Sequence, residues 1–230
     1  MAEGMTDDAS YFEEAREALI AEIEAEIRDT RDFVGIDTLS SGVLRALRAV
    51  PREAFVPEKV RDLAYINRPL AIGHGQTISQ PYIVAVMTEM LSLSADSRVL
   101  EIGTGCGYQT AVLAVLAKEV FTIEVVRPLG EAAAARLRER GYENIHFRIG
   151  DGRLGWPEHA PFDRIIVTAA APERPSALLD QLAAGGRMVV PLGRSGFTQQ
   201  LTCIDKDAEG VLRESGTLPV AFVPLVKGWS

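Results

Sequence analysis

From Asp96 onward, short apolar runs alternate with stretches of helical period, and that rhythm restricts the fold more than any other feature of the chain. Arg98–Ile102, Val120–Glu124, Ile145–Ile149, Asp163–Thr168 and Arg187–Pro191 read as strands. Gly107–Ala117, Gly130–Arg140 and Pro175–Ala183 read as the helices between them. Repeated strand–helix units build a parallel sheet, because a helical crossover returns each strand to the same end and covers a face on the way. The expected class is α/β, with a doubly wound, mostly parallel sheet. Two more strand-like segments, Gln199–Asp205 and Gly216–Val223, are separated by a linker that opens with the turn-rich stretch Lys206–Gly210, and predict a β-rich C-terminal end.

Before Asp96 the pattern is helical. Residues 1–8 read as a frayed terminus, and Ser10 with Glu13 as a capping box. Phe12, Leu19, Ile23 and Ile27 then recur near helical spacing up to about residue 32, with Arg16 interrupting the stripe and Gly35 closing it. A second helix is expected over Leu39–Val50, where Pro51 stops it. Residues 66–81, with Pro69, Gly73, Gly75 and Pro81, read as a structured loop, and residues 82–93 as a third helix. We divide the chain into an acidic N-terminal helical extension, 1–35, and one α/β domain, 36–230.

Charge sets that extension apart. Residues 1–32 hold eleven acids and three bases, a balance of −8 that equals the net charge of all 230 residues. The rest of the chain is neutral, without the basic excess that binds nucleic acid. The acidic arm would be repelled by phosphate and by anionic lipid. The longest apolar run, Ala111–Ala117, is far short of a membrane span. No leader pattern opens the chain, and Cys106 and Cys203 make neither a disulfide framework nor a zinc site. The expectation is a cytoplasmic protein with no metal.

Three strand ends carry the chemistry. Glu101-Ile102-Gly103-Thr104-Gly105-Cys106-Gly107 closes a strand and opens a helix, so that a ligand can approach bare backbone and free N–H groups. A dinucleotide fingerprint needs a small residue where Tyr108 stands, and no Gly-Lys-Ser/Thr phosphate loop is present. Glu124 ends the next strand, where an acid accepts from ribose hydroxyls. Gly150-Asp151-Gly152 follows the third strand, where an acid accepts from an adenine amino group; alone it reads as a plain Asp-Gly turn. Together the three line one crevice of an open α/β sheet, which points to a nucleoside ligand without a pyrophosphate.

These residues resemble the S-adenosylmethionine site of Rossmann-like methyltransferases. The chain further resembles the protein-L-isoaspartate O-methyltransferases over about residues 38–230. The resemblance rests on Val50-Pro51-Arg52-Glu53-Ala54-Phe55-Val56-Pro57, on Gly75-Gln76-Thr77-Ile78-Ser79-Gln80-Pro81, on Pro161–Ala170 and on the tail Phe222-Val223-Pro224-Leu225-Val226. Two departures stand out: Cys106 occupies a place where that family usually has serine, and the N-terminal segment is longer and more acidic.

The resemblance implies a protein-repair reaction, in which a methyl group passes from S-adenosyl-L-methionine to the free α-carboxylate of an L-isoaspartyl residue. It implies cofactor contacts at Ile78, Ser79, Glu101, Gly103, Thr104, Gly105, Cys106, Gly107, Glu124, Val125, Asp151 and Gly152. Ser79 is the implied active-site residue, with Thr77, Gln80, Val84, Val223 and Pro224 on the peptide. Read without the family, Ser79 is better explained as a cap for the helix that follows. The partners implied are damaged proteins and peptides, met by a monomer, with the N-terminal helix as the place for any oligomer contact. Two other classes share the crevice: a methyltransferase for another carboxylate or small molecule, and a nucleoside-binding module without transfer.

Overall fold

The structure is a computed structural model that describes residues 3–194 and 196–227, apart from the side chains of residues 3–9 and of Thr217. Helix α1 spans Glu3–Val34, so Ser10 lies inside it and is not its cap, and the frayed segment read at residues 1–8 is helical from Glu3. Residues 1 and 2 lie outside the described residues. Gly35 ends α1 at φ 66°, its N–H donating to the Arg31 carbonyl at 2.8 Å. Leu19, Ile20, Ile23 and Ile27 are buried in the main core. Arg16, the charge in that stripe, donates to the Tyr65 hydroxyl at 2.8 Å and the Arg48 carbonyl at 2.7 Å.

Helix α2 (Ser41–Ala49) starts at Ser40, whose hydroxyl accepts from the Val43 N–H. Two 3-10 turns, Arg52–Phe55 and Glu58–Leu63, follow. The stretch read as a loop contains a hairpin, β1 (Leu70–Gly73) and β2 (Gln76–Ile78). Its turn places His74 at φ 52° and Gly75 at φ 71°, the two positive values a tight hairpin needs. Such short strands carry too little alternation to be seen in sequence. Helix α3 (Pro81–Met90) follows.

The main sheet has the order β5-β4-β3-β6-β7-β8-β9. Its parallel part is β3 (Arg98–Ile102), β4 (Glu119–Glu124), β5 (Ile145–Ile149), β6 (Phe162–Val167) and β7 (Leu182–Leu192). Strands β8 (Gln199–Lys206) and β9 (Leu212–Val220) extend it antiparallel. Helices α4 (Tyr108–Leu116), α5 (Arg127–Glu139) and α6 (Ser176–Asp180) connect the parallel strands. Helix α6 is shorter than expected because Leu182 already pairs with Phe162 in the sheet. The strands alternate between two cores. Val99, Val120, Ile166 and Val189 face the core shared with α1 to α4, while Leu100, Phe121, Ile165 and Met188 face the core under α6. Chain order reverses beside β3, which places the ligand crevice at the carboxyl ends of these strands.

Candidate active site

The carboxyl ends of β3, β4 and β6 and the turn after β5 meet the β2 end and residues 223–226 around one cleft. Gly103, Gly105 and Gly107 bend the loop after β3 through φ values of 101°, 55° and 90°. At Gly103 the need for glycine is doubled. The Thr168 hydroxyl, from the end of β6, donates to the Gly103 carbonyl at 2.8 Å, and a Cβ on Gly103 would overlap that hydroxyl. Gly107 lies beneath the cleft as the left-handed N-cap of α4, where a Cβ would press on Leu137. Thr104, Gly105 and Cys106 line the cleft. Burial pushes the Cys106 thiol up despite its place at a helix start, which disfavours a reactive thiolate.

Glu124 and Val125 line the cleft beside them. The buried Glu124 carboxylate accepts from the Gly105 N–H at 2.7 Å and from the Val126 N–H at 2.9 Å. Each oxygen keeps a lone pair for a ligand hydroxyl. Gly152 lines the cleft and Asp151 does not. The Asp151 carboxylate is gripped by Arg153, whose Nε lies 2.9 Å and Nη2 2.5 Å from it. Glu101 also stands behind the wall. It is fully buried, accepts at Oε2 from Thr110 at 2.5 Å and Thr122 at 2.7 Å, and leaves Oε1 without a partner. Burial raises its pKa to about 8 against the lowering effect of those two hydroxyls. Thr122 is bonded in turn to Thr104 at 2.6 Å, so Glu101 braces the glycine loop from below.

Across the cleft stand Thr77, Ile78 and Ser79, with Val84 of α3 and Val223–Pro224 of the tail. Gln80 does not line it: Gln80 is the N-cap of α3 and Pro81 opens the helix. The Ser79 hydroxyl makes no hydrogen bond among the described residues, so it is not spent on capping. The Val223 carbonyl accepts from the Ala170 N–H at 2.8 Å, which ties the tail to the end of β6. His74 sits exposed in the hairpin turn, away from the cleft.

Residue-by-residue reading of the sequence gave no site role to Thr168 or Arg52, and used Tyr108 only to exclude a dinucleotide fingerprint. Thr168 and Tyr108 line the cleft. Arg52 lies behind it, fully buried, with Nη2 donating to the Ser79 carbonyl at 2.7 Å and its guanidinium 4.9 Å from the Tyr108 ring centroid. The only signal was that each lay within or beside a run resembling a known family. Among the described residues no cluster of three or more His, Cys, Asp or Glu side chains is placed to hold a metal.

A glycine loop of bare backbone, a buried acceptor at the next strand end and a sheet that reverses at that point fit an adenosine and offer no pyrophosphate cradle. They define a Rossmann-like methyltransferase that uses S-adenosyl-L-methionine. Residues 33–230 match the family model described as protein-L-isoaspartate(D-aspartate) O-methyltransferase. The chain is 51% identical over 227 residues to protein-L-isoaspartate O-methyltransferase 2 of Syntrophobacter fumaroxidans, covering 99% of this chain and 91% of that one. It is 54% identical over 195 residues to the Opitutus terrae protein-L-isoaspartate O-methyltransferase, covering 85% and 83%. A solved protein-L-isoaspartate O-methyltransferase superposes with TM-score 0.77 at 30% identity, over 91% of this chain and 65% of that one. A Plasmodium falciparum structure of the same description, in complex with S-adenosyl-L-homocysteine, gives TM-score 0.74 at 25% identity, over 91% and 99%. The chain belongs to the protein-L-isoaspartate(D-aspartate) O-methyltransferase family, the protein-repair methyltransferases that act on isoaspartyl residues.

Proposed function

We propose that Ser79 orients the α-carboxylate of an L-isoaspartyl residue while the strand ends opposite hold S-adenosyl-L-methionine. One observation carries the assignment of Ser79: it lines the cleft with its hydroxyl bonded to no described residue, and the N-cap position of the helix after it is Gln80. When bound, S-adenosyl-L-methionine supplies a methyl group already activated on a sulfonium. The chain's residues therefore have little proton chemistry to do. A carboxylate with an ordinary pKa of about 4 is ionised at neutral pH and needs no general base. No histidine is among the residues that line the cleft. Ser79 donates to one carboxylate oxygen and leaves the other to attack. Ile78, Val84 and Val223 exclude water. The Val223 backbone meets the substrate main chain, which suits an enzyme that accepts many sequences.

On the cofactor side, Glu124 takes the ribose hydroxyls, and Gly103, Thr104, Gly105 and Cys106 bound the methionine end. Gly152 makes the floor under the adenine, with Asp151 fixing its turn. Glu101 and Gly107 act on the same ligand from behind the loop. We assign 36–230 as the catalytic domain and 1–35 as an extension docked on it, supported by the break at Gly35. Burial of the apolar face of α1 within its own chain supports a monomer. The net charge of −8 argues against nucleic acid as a partner, and the free thiols Cys106 and Cys203 suit the cytoplasm. No described helix is long and apolar enough to cross a membrane.

Methyl transfer from labelled S-adenosyl-L-methionine to two peptides tests the reaction. One peptide carries L-isoaspartate and the other normal aspartate. Label on the first alone, released in mild base as an ester is, is the expected result. Label on neither, with S-adenosyl-L-homocysteine bound, would overturn it.

A further inference from the structure

We propose that Arg52 is a positioning residue that sets Ser79 against the glycine loop. The inference rests on the role given above to Ser79. Arg52 is fully buried, yet its hydrogen bonds reach no carboxylate. Nε donates to the Ala64 carbonyl at 2.8 Å and Nη2 to the Ser79 carbonyl at 2.7 Å, while Nη1 has no partner. Burial lowers its pKa, the sign of a charge held at a cost. A cation kept this way is a poor stabilising device, since an apolar side chain of the same length would fill the space without desolvation. What the fork achieves is geometric. It grips two backbone carbonyls that no regular element joins, 12 and 27 residues away in sequence. The guanidinium also lies over Tyr108, the first residue of α4 and a wall of the cleft. Phe55 meets the Tyr108 ring edge-on at 5.6 Å and fixes that surface. One side chain thus spans the serine strand and the start of the cofactor helix, and the distance between them is the alignment that methyl transfer depends on. Lysine cannot replace it, because a single ammonium cannot hold both carbonyls along the line of a planar fork.

The test is a double-mutant cycle on the full chain with R52K, S79A and the pair. It reads kcat and KM for the isoaspartyl peptide, affinity for S-adenosyl-L-homocysteine by calorimetry, and melting temperature. R52K keeps the charge and most of the apolar stem, and is the variant chosen to fold; R52M is the second. The expected result is a fall in kcat of about tenfold or more in R52K, with S-adenosyl-L-homocysteine affinity held within roughly threefold. The pair should be no slower than S79A alone within about twofold, because a residue acting through Ser79 has nothing left to align once that hydroxyl is gone. Multiplying effects in the pair would overturn the proposal. So would an R52K enzyme of parental kcat, or parallel losses of kcat, affinity and melting temperature in both Arg52 variants. Parental turnover is measured first. Its absence would count against the reaction, and its presence with any of those outcomes counts against Arg52 alone.

Discussion

The two walls of the cleft are built in opposite ways. The cofactor wall is local: consecutive strand ends bring the glycine loop, Glu124 and Gly152 together, and its hydrogen bonds run between neighbours in the sheet. The serine wall hangs from a three-residue strand. Side chains from afar hold it: Arg52 on the Ser79 carbonyl, and Asn67, which accepts from the Tyr82 N–H at 3.1 Å and donates to Glu26 of α1 at 2.7 Å. Thr30 of α1 adds a 2.6 Å bond to the Tyr82 hydroxyl. Damage to the first wall should therefore appear as lost cofactor affinity, and damage to the second as lost turnover with the cofactor still bound.

The largest effect is expected at Gly103. Gly103→Ala adds a Cβ against the Thr168 hydroxyl at a φ of 101° that side chains avoid. Overpacking and backbone strain together cost the native loop about 2–6 kcal/mol, and the loop relieves that cost by shifting from the ligand, so S-adenosyl-L-homocysteine affinity should fall by roughly 30-fold to well over a thousandfold. Adding Thr168→Ala should recover the overpacking share and leave the strain. No recovery, read by calorimetry, would show that conformation alone requires the glycine. Next is Ser79→Ala, the mirror image. Loss of one hydrogen bond to a charged group, about 1.5–3 kcal/mol, should cut kcat by roughly 10- to 100-fold and leave cofactor affinity nearly unchanged. A large loss of affinity would move Ser79 onto the cofactor wall.

Asp151→Ala should have a smaller effect than either, and on the cofactor side. Its carboxylate is held by Arg153 behind the wall, so the substitution loosens the Gly152 turn and removes no direct ligand contact. S-adenosyl-L-homocysteine binding should weaken by about tenfold, the scale of one lost hydrogen bond, while kcat at saturating cofactor holds. A drop in kcat at saturation would break the division between the walls.

The same contrast explains what could be read from sequence. Strands β3 to β6 were legible because apolar runs, turn residues and periodicity agree there, and the site residues Gly103 and Glu124 lie at the ends of those runs. The hairpin was not, because four- and three-residue strands hold no usable alternation. Ser79 was visible only through resemblance, since a serine two places before a proline looks like a helix cap until the N-cap position is found at Gln80. Arg52 was invisible in kind. Nothing in a local pattern distinguishes an arginine buried on two distant carbonyls from one in solvent. Glu101 differs: strand alternation puts residue 101 on the α4 face, with Thr110, while the loop motif alone does not say so.

Glu101 gives the smallest effect on turnover and cofactor affinity, because its part is in stability. Burial raises its pKa to about 8 from a reference of 4.5. Between those values the folded chain holds a proton at Glu101 that the unfolded chain has lost, so unfolding releases it and the contribution of Glu101 to stability falls as pH rises. The slope cannot exceed about 1.4 kcal/mol per pH unit. Glu101→Gln keeps an acceptor for Thr110 and Thr122 but does not titrate. The stability of the parent minus that of the variant, from urea unfolding at pH 5, 6, 7 and 8, should therefore decline steadily across the series. A difference that stays flat would mean that Glu101 is ionised in the fold. The hydroxyl chain Thr104–Thr122–Glu101 would then end on a buried anion, and the cofactor wall would rest on charge and not on a neutral network.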